Sequence, residues 1–600
     1  MTQRLFAQTI RRIVTIAAAL AIALTVGGTA ALAADGEGRP EPELQRVAVG
    51  TGGAVATTHP AATQAGIEIL RRGGNAVDAA VAAAAVSGLT DPGNNGPGGL
   101  SYMTIYLSRQ QRAVVIGDRA PAPAAFGPDD RKGLDGTGTL SVGVPTAVMV
   151  WEQALERYGT ISLRRALQPA ITAGRRGFVV LSAFPRANRL KAFTSSRELY
   201  FDENLEPYPV GSIFRNPDLA RTYEMIGRGG AAAFYRGPIA RAIVDTIQNP
   251  PLAADASLYV AEAALRPGKM ALSDLAAYEL PAISPTRVRY RGYDIYSTPP
   301  PESGGSTVSE ALNILEGFDL SGSDRALALH RLIEASKLAF ADRARYVGDP
   351  RFVDVPLEEL LSQGYADERR CLIGDTAMKA PVAPGDPTPP YDTTCARRGS
   401  AQVEVEHVSS TDHVSVVDRW GNAVSFTSTN VSSSGVVVPG YGFFLNNEMT
   451  NFNAQPLFEG DPNLAEGGKR PRGNMAPTVV VRDGHPVLSI GVAGGQTIQT
   501  TVLGILVNHL DFGMPLPEAL AAPRASQQNT ATTLAEPGFL VQHGDELSAR
   551  FGQRFSSSGE IGVAQGISIL PDGRFVAVAD ARGGGGDARV VTPALLEVLK

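Results

Sequence analysis

The stretch TDHVSVVDRWGNAVSFTST, Thr411 to Thr429, holds two alternating runs, VSVVD and AVSFTS, on either side of Arg419-Trp420-Gly421-Asn422. Alternating apolar and polar residues about a Gly-Asn turn read as a β-hairpin. Just upstream, a run of small hydroxyl residues stops at Thr411, and the strand pattern begins at once. A threonine at such a junction has two readings. It is a polar residue that opens a strand, or it is a nucleophile exposed when the chain is cut immediately before it. In the second case the freed α-amine, with a pKa of about 7.7–8, serves as general base. A threonine activated by its own amine is a recognised form of nucleophilic catalysis. Spacing alone favours the first reading.

Working outward, the hairpin pattern recurs in TVVVRDGHPVLSIGVAGG, with Asp483-Gly484 as its turn, and in GISILPDGRFVAVAD, with Asp572-Gly573. Residues 411–600 are therefore rich in strands. Toward the N-terminus, AATQAGIEILRRGGNAVDAAVAAAAVSGL carries two helical patterns split by Gly73-Gly74, with Asn75 placed to cap the second. DPGNNGPGGL reads as a glycine-dense loop, followed by the strands SYMTIYL and AVVIGD, the latter leading to Arg119. The middle third is mostly helical, as in Arg325 to Val347, and STPPPESGGST (Ser297 to Thr307) reads as a loop between a strand and a helix. Sheets and helices in both halves predict a layered architecture.

The chain has 600 residues, is 44% hydrophobic and carries a net charge of −6 with no basic block, which argues against nucleic acid as a partner. The N-terminus reads as an export signal over 1–33. Arg4, Arg11 and Arg12 precede the apolar run Ile13 to Val26, and Ala31-Leu32-Ala33 offers a cleavage site. The apolar run is short for a span of about 20 residues, so the expectation is a periplasmic or secreted protein with no stable membrane span after signal cleavage. An uncleaved anchor is the other reading. Two cysteines occur, Cys371 and Cys395, flanking a Pro-rich connector over 381–410. In an oxidising compartment they read as a disulfide, with two separate thiols as the alternative.

The common catalytic devices are missing from the sequence. There is no HExxH, no Cys/His cluster, no GxGxxG and no GxxxxGK[ST]; PESGGST has proline where a GxSxG elbow needs glycine. The reading is therefore no metal and no cofactor. What remains is a hydroxyl nucleophile with an unusual base.

Six blocks then carry a resemblance. They are the Thr411 hairpin, HPAATQAGIEILRRGGNAVDAAVAAA, SVGVPTAVMVWEQALERYGT, YDIYSTPPPESGGST, EASKLAFADRARYVGDPRFVDVP and GYGFFLNNEMTNFN. In this order of chemistry the chain resembles the γ-glutamyltransferase family of N-terminal nucleophile hydrolases, from about residue 50 to 582. The resemblance implies an α+β fold, a four-layer αββα sandwich. It implies a precursor that cuts itself between Ser410 and Thr411 into a large subunit (34–410) and a small catalytic one (411–600). It implies Thr411 as nucleophile, Thr429 as the residue that orients it, and Gly494-Gly495 as the oxyanion site. Arg119 would hold a substrate α-carboxylate and Glu448 would lie near its amino group. The implied partners are a small-molecule γ-glutamyl substrate and water or an amine acceptor.

Four positions depart from the family pattern. Asn451 replaces an amine-binding aspartate, and Gly473-Asn474 replaces a Ser-Ser pair that grips the α-carboxylate, with Asn474 still able to donate. Val431 stands where an asparagine is usual, with Asn430 as a near-substitute. Asn453 to Gly468 is a short lid segment without tyrosine. The expectation is intact catalytic machinery with weakened recognition of the amino-acid head. Hydrolysis or transfer of γ-glutamyl groups from glutathione leads. An acylase for glutaryl-type or poly-γ-glutamyl substrates is the alternative, and a silent binding protein is the third.

Overall fold

Asp418 ties the opening hairpin to the rest of the chain. One oxygen of its carboxylate accepts from the Trp420 and Asn422 amides at 2.9 and 3.0 Å, which fixes the turn at 419–422. The other accepts from the Asn422 side chain and from the Ala76 amide at 3.0 Å, the first exposed donor of a helix. That helix is also capped as the sequence predicts, by a reciprocal Asn75–Asp78 capping box.

A computed structural model describes residues 44–181, 184–391 and 411–592. The expected signal, residues 392–410 of the connector, Cys395 and Ser410 lie outside the described residues. Cys371 is disulfide-bonded. Among the described residues, the strands of the two main sheets are β1 (Val47–Gly50), β2 (Gly53–Thr57), β3 (Leu100–Leu107), β4 (Arg112–Asp118), β5 (Thr286–Tyr290), β6 (Tyr293–Ser297), β7 (Asp412–Asp418), β8 (Ala423–Thr429), β9 (Thr478–Arg482), β10 (His485–Ala493), β11 (Val563–Ile569), β12 (Phe575–Ala579) and β13 (Asp587–Val590). Six form a sheet in the order β13-β2-β7-β8-β3-β4, and seven form another in the order β1-β12-β11-β10-β9-β6-β5. All pairings within these two sheets are antiparallel.

The helices that cover the sheets are α1 (Pro60–Arg71), α2 (Ala76–Thr90), α3 (Gly304–Glu316), α4 (Arg325–Tyr346) and α5 (Thr497–Leu510). α1 and α2 lie on the six-stranded sheet, α3 and α5 on the seven-stranded one, and the sheets face each other through β7, β8, β10 and β11. This is the expected αββα sandwich. Every residue of α2 is buried, and a helix apolar all round belongs inside a protein. The reason is that the helices at Ala147–Tyr158 and Gln168–Arg176 pack over its outer side. α3 starts at Gly304, earlier than the loop expected through Thr307. Gly304 and Gly305 are needed there because a Cβ would come within 2.1 Å of the Met475 and Thr298 carbonyl oxygens respectively.

The period of two sorts β7 cleanly. Val414 and Val416 join the core under the helices, whereas Val417 joins the core between the sheets. His413 and Ser415 share the inter-sheet face, where the contacts are polar. The Ser489 hydroxyl donates to the Val424 carbonyl at 2.9 Å, and the Ser425 hydroxyl to that of Ile490 at 2.8 Å. The Ser415 hydroxyl donates to the Gln565 carbonyl at 3.1 Å. Gly491 allows the closest approach, since a Cβ there would lie 2.2 Å from the His413 ring. These contacts fix the sense of β10. Its residue numbers rise alongside those of β8, so β10 leaves the sheet at the end where Thr429 sits.

Candidate active site

Strand register assembles the site. β7 and β8 pair Asp412 with Ser428, and the next step sets Thr411 opposite Thr429. Thr429 pairs with Leu100 on β3. β3 and β4 pair Ser101 with Asp118, and the next step sets Leu100 beside Arg119. Thr411, Thr429, Leu100 and Arg119 thus form one row across four adjacent strands. At about 4.8 Å per strand, Arg119 begins roughly 14 Å from Thr411, within reach of a small acyl group and a long side chain. Alternation points the whole row into the space between the sheets.

Glycines bring the rows this close. In the DPGNNGPGGL loop, a Cβ on Gly99 would lie 2.4 Å from the Thr429 carbonyl oxygen, and one on Gly98 2.1 Å from that of Phe444. Thr429 itself closes a short turn, its hydroxyl oxygen accepting from the Val431 amide at 2.7 Å. Val431 sits at φ 66°, a costly conformation for a β-branched residue, and it is buried with Leu100, Tyr102 and Met475.

Thr411 is 5% exposed. The titratable residues that follow it are both committed elsewhere. His413 is buried between Thr427 (2.8 Å) and Ser415 (3.0 Å), and burial lowers its pKa to about 3, so it is neutral and structural. Asp412 faces the helix side, where it accepts from Thr58 and from Asn95. Neither side chain is therefore placed to act as a base on the Thr411 hydroxyl.

Gly494 and Gly495 follow β10 and precede α5, at φ 149° and 60°. Their carbonyls accept from the Thr497 and Ile498 amides at 3.2 Å. Among the described residues, neither glycine N–H donates to a turn or loop carbonyl. Two such donors at the Thr411 end of the sandwich suit a developing oxyanion.

The surroundings of Arg119 are more crowded than the sequence predicts. Arg119 is 2% exposed and grips Glu448 bidentately, through Nε at 2.7 Å and Nη2 at 2.6 Å. Its Nη1 donates to Glu302 at 2.9 Å. Burial opposes the Arg119 charge, but Glu448 and Glu302 outweigh it and raise its pKa. Burial pushes Glu448 up to about 8, against the pull of Arg119 and with the charge of Glu302 adding to the rise. Burial raises Glu302 as well. Two acids on one guanidinium are thus both raised by burial, with Arg119 opposing the rise in each.

Asn446 and Asn447 hold Glu448 in place. Asn446 donates to Gly98 and Gly143 and accepts from the Glu448 amide, while Asn447 donates to Gly136. Asn451 donates to Glu448 at 3.0 Å. The Asn474 oxygen accepts from Arg343 at 2.7 Å, and Arg343 also donates to Ser303. Asn430 does not join this group. Its amide nitrogen donates to the Pro92 and Asn95 carbonyls at 2.9 and 3.0 Å, which makes it a brace for the glycine loop rather than a substitute for the missing pocket asparagine. The segment from Asn453 is tied down by Asp461, which accepts from Asn453, Leu457 and Asn463.

Sequence reading missed Glu302 and the Asn446-Asn447 pair. The one available signal for Glu302 was a lone acid in a Pro-, Ser- and Gly-rich loop.

A second buried acid pair underlies Thr411. Burial, then the charge of Asp412, pushes Asp91 up to about 8. Asp91 and Glu448 ordinarily titrate at 3.8 and 4.5. A raised carboxyl keeps its proton in the folded chain after the unfolded chain has lost it. Stability is then full below the ordinary pKa and falls as pH rises through about 8. The buried His59 and His413, lowered to about 4 and 3, act in the opposite sense below pH 6.5. The thermal midpoint should therefore drop between pH 6.5 and 8.5, and Glu448→Gln should flatten part of the drop. Calorimetry at matched ionic strength checks it; an equal or higher midpoint at pH 8.5 would return both carboxyls to their ordinary range.

Comparison with known proteins agrees with this geometry. Residues 62–590 match the family described as Gamma-glutamyltranspeptidase. The glutathione hydrolase proenzyme of Bacillus subtilis is 35% identical, over 94% of this chain and 96% of that protein. The glutathione hydrolase proenzyme of Escherichia coli is 36% identical, over 88% and 90%. Among solved structures, a cephalosporin acylase from Bacillus halodurans superposes with a TM-score of 0.78 at 28% identity, covering 93% of this chain and all of that one.

Proposed function

The chain belongs to the gamma-glutamyltranspeptidase family, and on that premise we propose that it is an exported precursor which cuts itself between Ser410 and Thr411 and then transfers or hydrolyses γ-glutamyl groups through Thr411. The row of Thr411, Thr429, Leu100 and Arg119, with Gly494-Gly495 at the same end of the facing sheet, is the observation that carries this reading.

Chemistry follows from the placement. The α-amine of Thr411 takes the hydroxyl proton as Oγ attacks the γ-carbonyl, and the two glycine N–H groups receive the oxyanion. Collapse expels the amine, which leaves with the proton, and an acyl ester remains on Thr411. Water or an acceptor amine then attacks the ester by the reverse sequence and frees the hydroxyl. Glutathione-type amides fit the relatives named glutathione hydrolase, and the cephalosporin acylase keeps the acylase alternative in play. Large (34–410) and small (411–600) subunits of one precursor would make the active unit. Export is supported by the N-terminal signal pattern. Among the described residues no helix is long and apolar enough to cross a membrane.

Denaturing electrophoresis with N-terminal sequencing tests the proposal. A small subunit beginning Thr-Asp-His is expected; one uncut band in the purified exported protein would refute self-processing. Release of chromophore from a γ-glutamyl anilide, faster than from the glutaryl anilide, would favour the γ-glutamyl reading over the acylase one.

A further inference from the structure

Gly473 and Glu302 are a matched pair at the head of the pocket. A Cβ on residue 473 would lie 2.4 Å from Arg119 Nη1, 2.4 Å from Glu302 Oε2 and 2.5 Å from Oε1. A side chain at 473 would require the ends of Arg119 and Glu302 to shift. Glycine at 473 therefore leaves the room that the Glu302 carboxylate uses. The two loops are also clamped by backbone. Residues 302 and 473 form a parallel bridge, the Gly473 amide donates to the Pro301 carbonyl at 3.1 Å, and the Ser303 amide donates to that of Gly473 at 3.3 Å. Glu302 is fully buried, so its carboxylate is a fixed part of the pocket wall.

The consequence falls on Arg119. A guanidinium recognises a carboxylate by presenting two parallel N–H groups along one edge. The Nε–Nη2 edge is taken by Glu448, and Nη1 is taken by Glu302. An incoming carboxylate would be the third acid on one buried cation. It would also need the volume that the Glu302 carboxylate fills.

We infer that Glu302 is a specificity-determining residue that occupies, from within the chain, the place of a donor carboxylate, so that the preferred acyl donors carry an uncharged or hydrogen-bond-donating head, such as a carboxamide, instead of a free carboxylate. This rests on the reading of Thr411 as nucleophile with Arg119 in its donor pocket, and it narrows the donor class within that reading. It disfavours glutaryl donors for the same reason as ordinary γ-glutamyl ones.

The test compares two anilides on the self-cleaved enzyme: γ-glutamyl p-nitroanilide, with its α-carboxylate free, and the same compound with that carboxylate converted to the carboxamide. Wild-type kcat/KM should favour the carboxamide at least tenfold. Glu302→Ser should reverse the preference, chiefly by lowering KM for the free acid at least tenfold with little change in kcat. Normal self-cleavage of the variant reports that it folds, and the wild-type ratio needs no variant at all. A tenfold wild-type preference for the free acid overturns the inference. So does a self-cleaved Glu302→Ser enzyme with an unchanged ratio, or a self-cleaved wild type that uses neither donor. A wild type that is neither cut nor active refutes the acyl-transfer reading itself, a separate outcome.

Discussion

Thr411→Ala should remain a single uncut chain and lose acyl transfer by at least about 10³-fold, the scale on which removal of a nucleophile acts in hydrolases with an intact oxyanion site. Two losses coincide in one substitution. The hydroxyl proposed to attack the 410–411 peptide bond would be gone, so no new N-terminus would form, and without the cut there would be no α-amine to act as base. His413 cannot compensate, because both its ring nitrogens are engaged and burial keeps it neutral. Asp412 cannot either, since it faces the helix layer. The fold itself should survive, because alanine removes only a hydroxyl and a methyl at a strand end that register already fixes. Electrophoresis, sequencing of any small subunit and anilide release measure the three effects separately. Thr411→Ser keeps an attacking hydroxyl and should restore cutting. If Thr411→Ala were cut normally, the nucleophile would have to be sought elsewhere.

Local patterns in the sequence carried much of the fold. The hairpin about 419–422, the capping box of α2 and the turns at Asp483-Gly484 and Asp572-Gly573 all depend on residues within a few positions of each other, which is where periodicity and turn chemistry speak. The pairing of the two sheets was not legible in that way. It depends on Gly491 meeting His413 and on serines reaching across to carbonyls, and such contacts join segments tens to hundreds of residues apart. The pocket divides similarly. Thr411 and Thr429 belong to one local hairpin motif, and its register sets them opposite each other. Glu302 could not be placed, because its meaning depends on Gly473, 171 positions later, and on Arg119, 183 positions earlier. The weakened head recognition inferred from Asn451 and Gly473-Asn474 was framed as lost groups. The inference drawn from Glu302 rests on a gained carboxylate instead. Asn430 shows the opposite limit. It neighbours the Val431 position in sequence, yet strand alternation turns it to the other face of the sheet.

Gly494→Ala should lower kcat about 10²–10³-fold while KM changes only a few-fold, because it displaces the donors that act on the transition state and leaves the donor pocket alone. The added Cβ would lie 2.9 Å from the Gly562 Cα and 2.9 Å from Thr497 Oγ1. The first of these is backbone and cannot swing aside. A φ of 149° is also a conformation that alanine resists. Residues 494–495 must then shift, and a displacement of about 1 Å at a reacting centre is enough for a loss near 10²-fold. The same strain should cost about 1–3 kcal/mol of stability, so activity and thermal midpoint fall together and need to be separated. Gly504→Ala supplies the comparison. It lies in α5, just downstream, with nothing within 4 Å of its Cβ position, and should gain about 0.5–1 kcal/mol from helix propensity with kcat unchanged. If Gly494→Ala kept kcat within threefold of the parent, the oxyanion donors would lie elsewhere at this end of the sandwich. If kcat and KM worsened in equal measure, the glycine pair would be shaping the pocket rather than the transition state.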